Sequence, residues 1–205
     1  MSTRRHIIAA LAALTGAASL SWRAFAAGIE PREAAAFIDA LGRRTIVVLV
    51  SEQTTVQRER ALRGLLRQGF DLGFLARLTV GRLWREMSAE QREEFQEAFE
   101  DWILRTSAAR LTGFAGQRFT VSGAEPSGED AMVRSEITGG GPPARVDWRV
   151  RATPQGPKII DGVVEGVSMV VTHRTELHAL VQRQGVAGLI GTLRARAERA
   201  AAQPS

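Results

Sequence analysis

The chain has 205 residues, a formal net charge of +5, and neither Cys nor Tyr. Its length suits one domain or two small lobes, and the lack of Cys excludes disulfides, thiol nucleophiles and Cys-bound metals. All but one of the 27 basic residues are Arg, but 22 acidic residues offset them, and no basic stripe with interleaved aromatics points to nucleic acid.

The N-terminus reads as a secretory signal peptide. Arg4 and Arg5 form a positive n-region, Ile7 to Leu20 is weakly apolar, and Ala24-Phe25-Ala26 is a small-x-small cleavage site. Cleavage after Ala26 is expected, and it removes three arginines, taking the formal charge to +2. No apolar run reaches the length of a membrane span, so the mature chain is expected to be soluble and exported. The Arg4-Arg5 pair fits twin-arginine export as well as an ordinary Sec signal. The organisation expected is residues 1–26 as signal peptide, 27–200 as one domain, and 201–205 as a disordered tail.

Pro31 suits the first position of a helix carrying Phe37, Ile38 and Leu41. Ile46 to Val50 is apolar all round, which predicts deep burial or a strand. Thr54 or Thr55 can cap a second helix with Leu62, Leu65 and Leu66. Gly69-Phe70-Asp71 breaks it, and a short helix with Leu72, Leu75 and Leu78 follows. Ser88-Ala89-Glu90-Gln91 is a capping box. It opens a long helix with Phe95, Phe99, Trp102, Ile103 and Thr106 on one face and much acid elsewhere, read as a solvated surface.

Gly113 to Gly116 ends the helical half. Strands follow around Phe119–Val121, Ala131–Ile137 and Val146–Val150, the last alternating cleanly with charged residues. Lys158 to Val171 predicts a last strand, apolar on one face and small or apolar on the other, so both faces are expected to be covered. Helices near His173–Gln184 and Val186–Ala200 close the chain. The fold class predicted is α+β, with helices gathered on one face of a four-stranded antiparallel sheet.

No catalytic motif stands out. His173 and His178 are five apart, which is not a metal-binding spacing on a helix. Asp161 and Glu165 share a strand face and offer the only acid/base pair. Each is more simply read as a turn cap or an arginine partner. No cofactor is expected, and the chain is not expected to be an enzyme. Ser168 has no His–Asp partners by motif.

Five blocks stand out in order: Phe70-Asp71; Val80-Gly81-Arg82-Leu83-Trp84; Ser88 to Phe95; Asp161…Glu165-Gly166-Val167-Ser168…Arg174; and Gly185…Leu189-Ile190. Together they resemble the MlaC family of periplasmic phospholipid-binding proteins. The resemblance runs from about Ala34 to Arg196. The chain departs from the family's habit at Ser107, Lys158 and His173, where Tyr, Trp and Tyr are common.

The resemblance implies an apolar cavity between helices and sheet that holds the acyl chains of a phospholipid. Its expected lining is Phe74, Leu78, Trp84, Phe95, Phe99, Trp102, Trp148, Val164, Val167 and Met169. Arg174, with Asp161 and Glu165, is expected at the headgroup or in a structural ion pair. The implied function is a monomeric periplasmic shuttle that maintains outer-membrane lipid asymmetry. Its implied partners are an outer-membrane lipoprotein complex and an inner-membrane MCE-domain protein with its ABC permease. Two other classes remain open from the residues alone: a small-molecule enzyme on a cone-shaped α+β scaffold, and a ligand-free adaptor with a filled core.

Overall fold

The structure is a computed structural model that describes residues 28–51, 54–113 and 116–202. The expected signal peptide lies outside these residues.

Local signals start the helices where the sequence places them. Pro31 is the first residue of α1 (Pro31–Val50). Thr54 accepts from the backbone N–H of Gln57, whose side chain reaches back, so a capping box opens α2 (Thr55–Gly69). The Asp71 side chain accepts from Phe74 N and caps α3 (Leu72–Val80). One turn, α4 (Leu83–Glu86), precedes α5 (Ala89–Thr112), which the Ser88–Gln91 box opens.

The second half is a meander: β1 (Arg118–Ser127), β2 (Asp130–Thr138), β3 (Ala144–Thr153), β4 (Gly156–Val164) and β5 (Val167–Ser168), in that order and all antiparallel. The class is α+β as predicted, with a fifth, two-residue strand added. That strand corrects the reading of Lys158–Val171 as one strand. Glu165 (φ 48°) and Gly166 (φ 81°) form a tight turn, β5 folds back on β4, and α6 (Met169–Ala202) begins at once. The helix passes Ala200, its expected end, and reaches Ala202. Gly185 (φ 69°, ψ −176°) breaks it into two arms, a conformation only glycine takes without strain.

The Ile46–Val50 run is the end of a helix and is not deeply buried. Leu49 is buried, whereas Val47 is 64% and Val50 is 59% exposed.

The apolar residues form two main cores. The helical one joins α3, α5 and α6 around Phe95, Phe99, Trp102, Leu177, Leu189 and Leu193. The sheet one joins α1 to β2, β3 and β4 through Ala34, Ile38, Ala131, Val133, Val150 and Ile159. Phe70 packs against both. Its backbone bridges Ile159 at the edge of β4, and the Asp71 N–H donates to the Ile159 carbonyl at 3.0 Å. The chain between α2 and α3 therefore fastens the helices to the sheet.

Candidate functional site

Three helical segments converge at one end of the helical layer. Trp102, Thr106, Ala109 and Arg110 recur on one side of α5. His173 and Glu176 lie in the first turns of α6, and Arg196, Arg199 and Ala200 in its last. Together they line a pocket of about 450 Å³. The turn at Gly185 brings the two ends of α6 together, with Glu176 accepting from Arg196 Nη1 at 2.7 Å.

An aromatic row leads into the pocket. Trp84, Phe95, Phe99, Trp102 and His173 contact one another in sequence, with ring centroids 4.9 to 6.4 Å apart. Most of these pairs are edge-to-face, the favoured arrangement for aromatic quadrupoles. The Arg196 guanidinium lies over the Trp102 ring, 5.7 Å from its centroid. Burial pushes the His173 imidazole below its ordinary pKa. Glu176 opposes that, while the charges of Arg110 and Arg196 add to it. Its Nδ1 is buried without a hydrogen-bond partner; the nearest carboxylate, that of Glu176, is 3.9 Å away.

The expected acyl-chain residues do not meet in one cavity. Phe95, Phe99 and Trp102 are buried against one another and against α6, because α5 packs chiefly on α6, α2 and α3. Trp84 is half-buried against the same core. Phe74 is half-buried under the guanidinium of Arg151, 5.0 Å from its ring, and Leu78 is also half-buried. Trp148 belongs to the sheet core. It meets Phe70 edge-on at 6.3 Å and donates from Nε1 to Ser135 Oγ at 2.9 Å. Gly162 lies opposite it across the strand pair, and a Cβ there would touch the indole at 3.7 Å. Val164 and Val167 face one another in the β4–β5 register and are exposed, at 38% and 57%. Met169 is half-buried at the start of α6.

The expected charged trio is also apart. Asp161 accepts at Oδ2 from Ser168 Oγ (2.5 Å) and at Oδ1 from Val170 N (3.1 Å), so it caps α6 from the neighbouring strand. Glu165 sits in the turn and accepts from Arg145 N at 2.6 Å. It does not share a strand face with Asp161. Arg174 pairs with neither; its guanidinium lies against Gly81, where a Cβ would come within 2.6 Å of Nη2. No group of three or more His, Asp or Glu able to hold a metal occurs among the described residues.

Sequence reasoning missed Arg110, Arg196 and Arg199. The usable signal was the break at Gly185 with arms of similar length, which sets residues near 176 opposite residues near 196.

The family model of MlaC protein matches residues 41–195, three quarters of the chain. The chain belongs to the MlaC family. Its fold is similar to that of a phospholipid-binding protein from Ralstonia solanacearum, solved in complex with a phospholipid. The match has a TM-score of 0.73 and 22% identity, and covers 82% of this chain and 99% of that one. The five-strand meander flanked by helices is thus the architecture of a MlaC-family chain. Among the described residues, no helix is long and apolar enough to cross a membrane.

Proposed function

We propose that this protein is a periplasmic phospholipid carrier and not an enzyme. Membership of the MlaC family is the observation that carries the reading, and the phospholipid bound in the Ralstonia relative of the same fold supports it. The acyl chains would lie between the two cores. Helices and sheet each have their own buried cluster, and the half-buried Phe70, Phe74 and Trp148 occupy the boundary. Parting two layers that are already separately packed exposes less apolar surface than opening a single core, and an acyl chain would cover what is exposed. The pocket at Trp102, about 450 Å³, is in the lower half of the roughly 300–1,000 Å³ typical of ligand sites. It does not hold two acyl chains unaided.

Val164, Val167 and the exposed Val171 form an apolar corner where the sheet meets α6. In this reading they rim the opening. Each acyl CH₂ kept from water is worth about 0.8 kcal/mol. A lipid therefore leaves a membrane only into another apolar environment, and transfer is nearly neutral in free energy. The carrier would exchange lipid with an outer-membrane lipoprotein complex and an inner-membrane MCE-domain protein with its ABC permease, maintaining outer-membrane asymmetry. Export of the chain from Ala27 onward belongs to the same proposal.

The test is transfer of a fluorescent phospholipid between donor and acceptor vesicles. The carrier accelerates transfer in proportion to its concentration. A rate equal to that of spontaneous exchange at every concentration would overturn the reading.

A further inference from the structure

The pocket at Trp102 has a charge pattern that the carrier reading does not use. Arg196 is held by Glu176 at 2.7 Å and lies over the Trp102 ring. Arg110 and Arg199 line the same pocket, and neither side chain has a hydrogen bond or ion pair among the described residues. Three guanidinium groups thus face one carboxylate. His173, the other titratable wall, is half-buried, and its Nδ1 is buried without a hydrogen-bond partner. Several arginines elsewhere on the molecule are held by carboxylates: Arg63 and Arg105 by Asp101, Arg67 by Glu100, Arg149 and Arg151 by Asp130. The pocket lining thus carries more positive than negative charge, and its apolar side is the Trp102 indole with Ala109 and Ala200.

We propose that this pocket binds the phosphate group of an anionic amphiphile, with Arg110 and Arg199 gripping the phosphate and Trp102 taking the adjoining apolar stem. The guanidinium fork matches phosphate oxygens two at a time, and Arg196, already fixed by Glu176 and Trp102, presents a third donor without further ordering. The volume of about 450 Å³ suits a phosphate and a short length of chain. His173 completes the wall. Its Nδ1 has no protein partner, so a phosphate oxygen would supply one. The amphiphile is the cargo phospholipid if the carrier reading holds, and on that point alone the inference rests on it.

The experiment compares the mature wild-type protein with Arg110→Glu/Arg199→Glu, both exposed positions. Arg85→Glu serves as a charge control, its side chain being exposed at the far end of the helical layer. Isothermal titration uses inorganic phosphate, dodecyl phosphate and dodecyl maltoside. Lipid exchange is followed with phosphatidylglycerol vesicles.

Dodecyl phosphate is expected to bind the wild type and the control, and about tenfold or more weakly to the double variant. The uncharged maltoside should show no such dependence. Binding should also raise the pKa of the His173 ring in NMR titration, because the added negative charge offsets Arg110 and Arg196. Slower phosphatidylglycerol exchange in the double variant would identify the phosphate as the cargo headgroup. Unchanged exchange alongside lost dodecyl phosphate binding would identify a separate single-chain ligand. Dodecyl phosphate bound equally by all three proteins, or by none, overturns the inference even if phospholipid is carried. Arginine-dependent binding by a protein that carries no phospholipid would sink the carrier reading and leave the phosphate site standing.

Discussion

Asp161 is the residue through which the sheet fixes the start of α6. Its carboxylate takes the hydroxyl of Ser168 at 2.5 Å and the N–H of Val170 at 3.1 Å, while Ser168 Oγ in turn accepts from Val171 N at 3.1 Å. Asp161→Ala removes both acceptors and strands a half-buried hydroxyl and a helix N–H. A helix N-cap is worth about 0.5–2 kcal/mol, and a hydrogen bond to a charged group about 1.5–3 kcal/mol. The groups are partly solvated and share one carboxylate, so the expected loss is about 2–3 kcal/mol. For a domain of this size that lowers Tm by roughly 4–12 °C. Asp161→Asn keeps one acceptor and should lose about half as much. Ser168→Ala should be costly alone, yet add little in the Asp161→Ala background, since the two side chains act as one cap. The assay is thermal unfolding followed by circular dichroism on the two single variants and the double. Asp161→Ala within 1 °C of wild type, or strictly additive losses, would refute the cross-strand cap. Because His173 and Glu176 sit in the turns that follow, dodecyl phosphate affinity should fall with it.

The Asp130 side chain is only 1% exposed, between Arg149 and Arg151 at 2.7 and 2.6 Å. Burial pushes its carboxyl up, but hydrogen bonds and charge from the two arginines outweigh this and hold it below its ordinary value. The folded pKa is depressed, so the stabilisation is present above about pH 4 and is lost as pH falls through the folded value. Asp130→Asn should lower Tm at pH 7 and flatten the decline in Tm below pH 4; an acid limb as steep as that of wild type would contradict the assignment. Val167→Asp places a carboxylate on an exposed tip, so Tm should move by less than about 2 °C, while lipid recovered with the protein should fall. Full lipid recovery would remove the valine corner from the opening. Thr54→Ala deletes the cap of α2 and should cost about 1 kcal/mol, read from the urea midpoint at unchanged slope; no change in midpoint would deny the cap a role.

Local chemistry was legible where it acts locally. Pro31, the cap at Thr54 or Thr55, the box at Ser88, and the alternation of Val146, Trp148 and Val150 with charged residues each mark an element by contacts within a few positions. The β4–α6 junction was not legible. Val167 to Val171 is rich in β-branched residues and reads as strand, but Asp161, on the preceding strand across the turn at Glu165 and Gly166, caps a helix there and overrides propensity. The placement of α5 was hidden for a similar reason. Periodicity shows that Phe95, Phe99 and Trp102 share a face, but does not say which layer covers it, and the partner proved to be α6. The resemblance carried the class of cargo, whereas the pocket's arginines belong to a meeting of helix ends that no short motif encodes.

The carrier account is tested most directly by what the mature protein holds when purified from the periplasm without detergent. Native mass spectrometry, followed by solvent extraction and lipid analysis, should give a chain beginning at or near Ala27 with about one phospholipid per chain. A protein that is consistently empty, and stays empty after incubation with phospholipid vesicles, would contradict it.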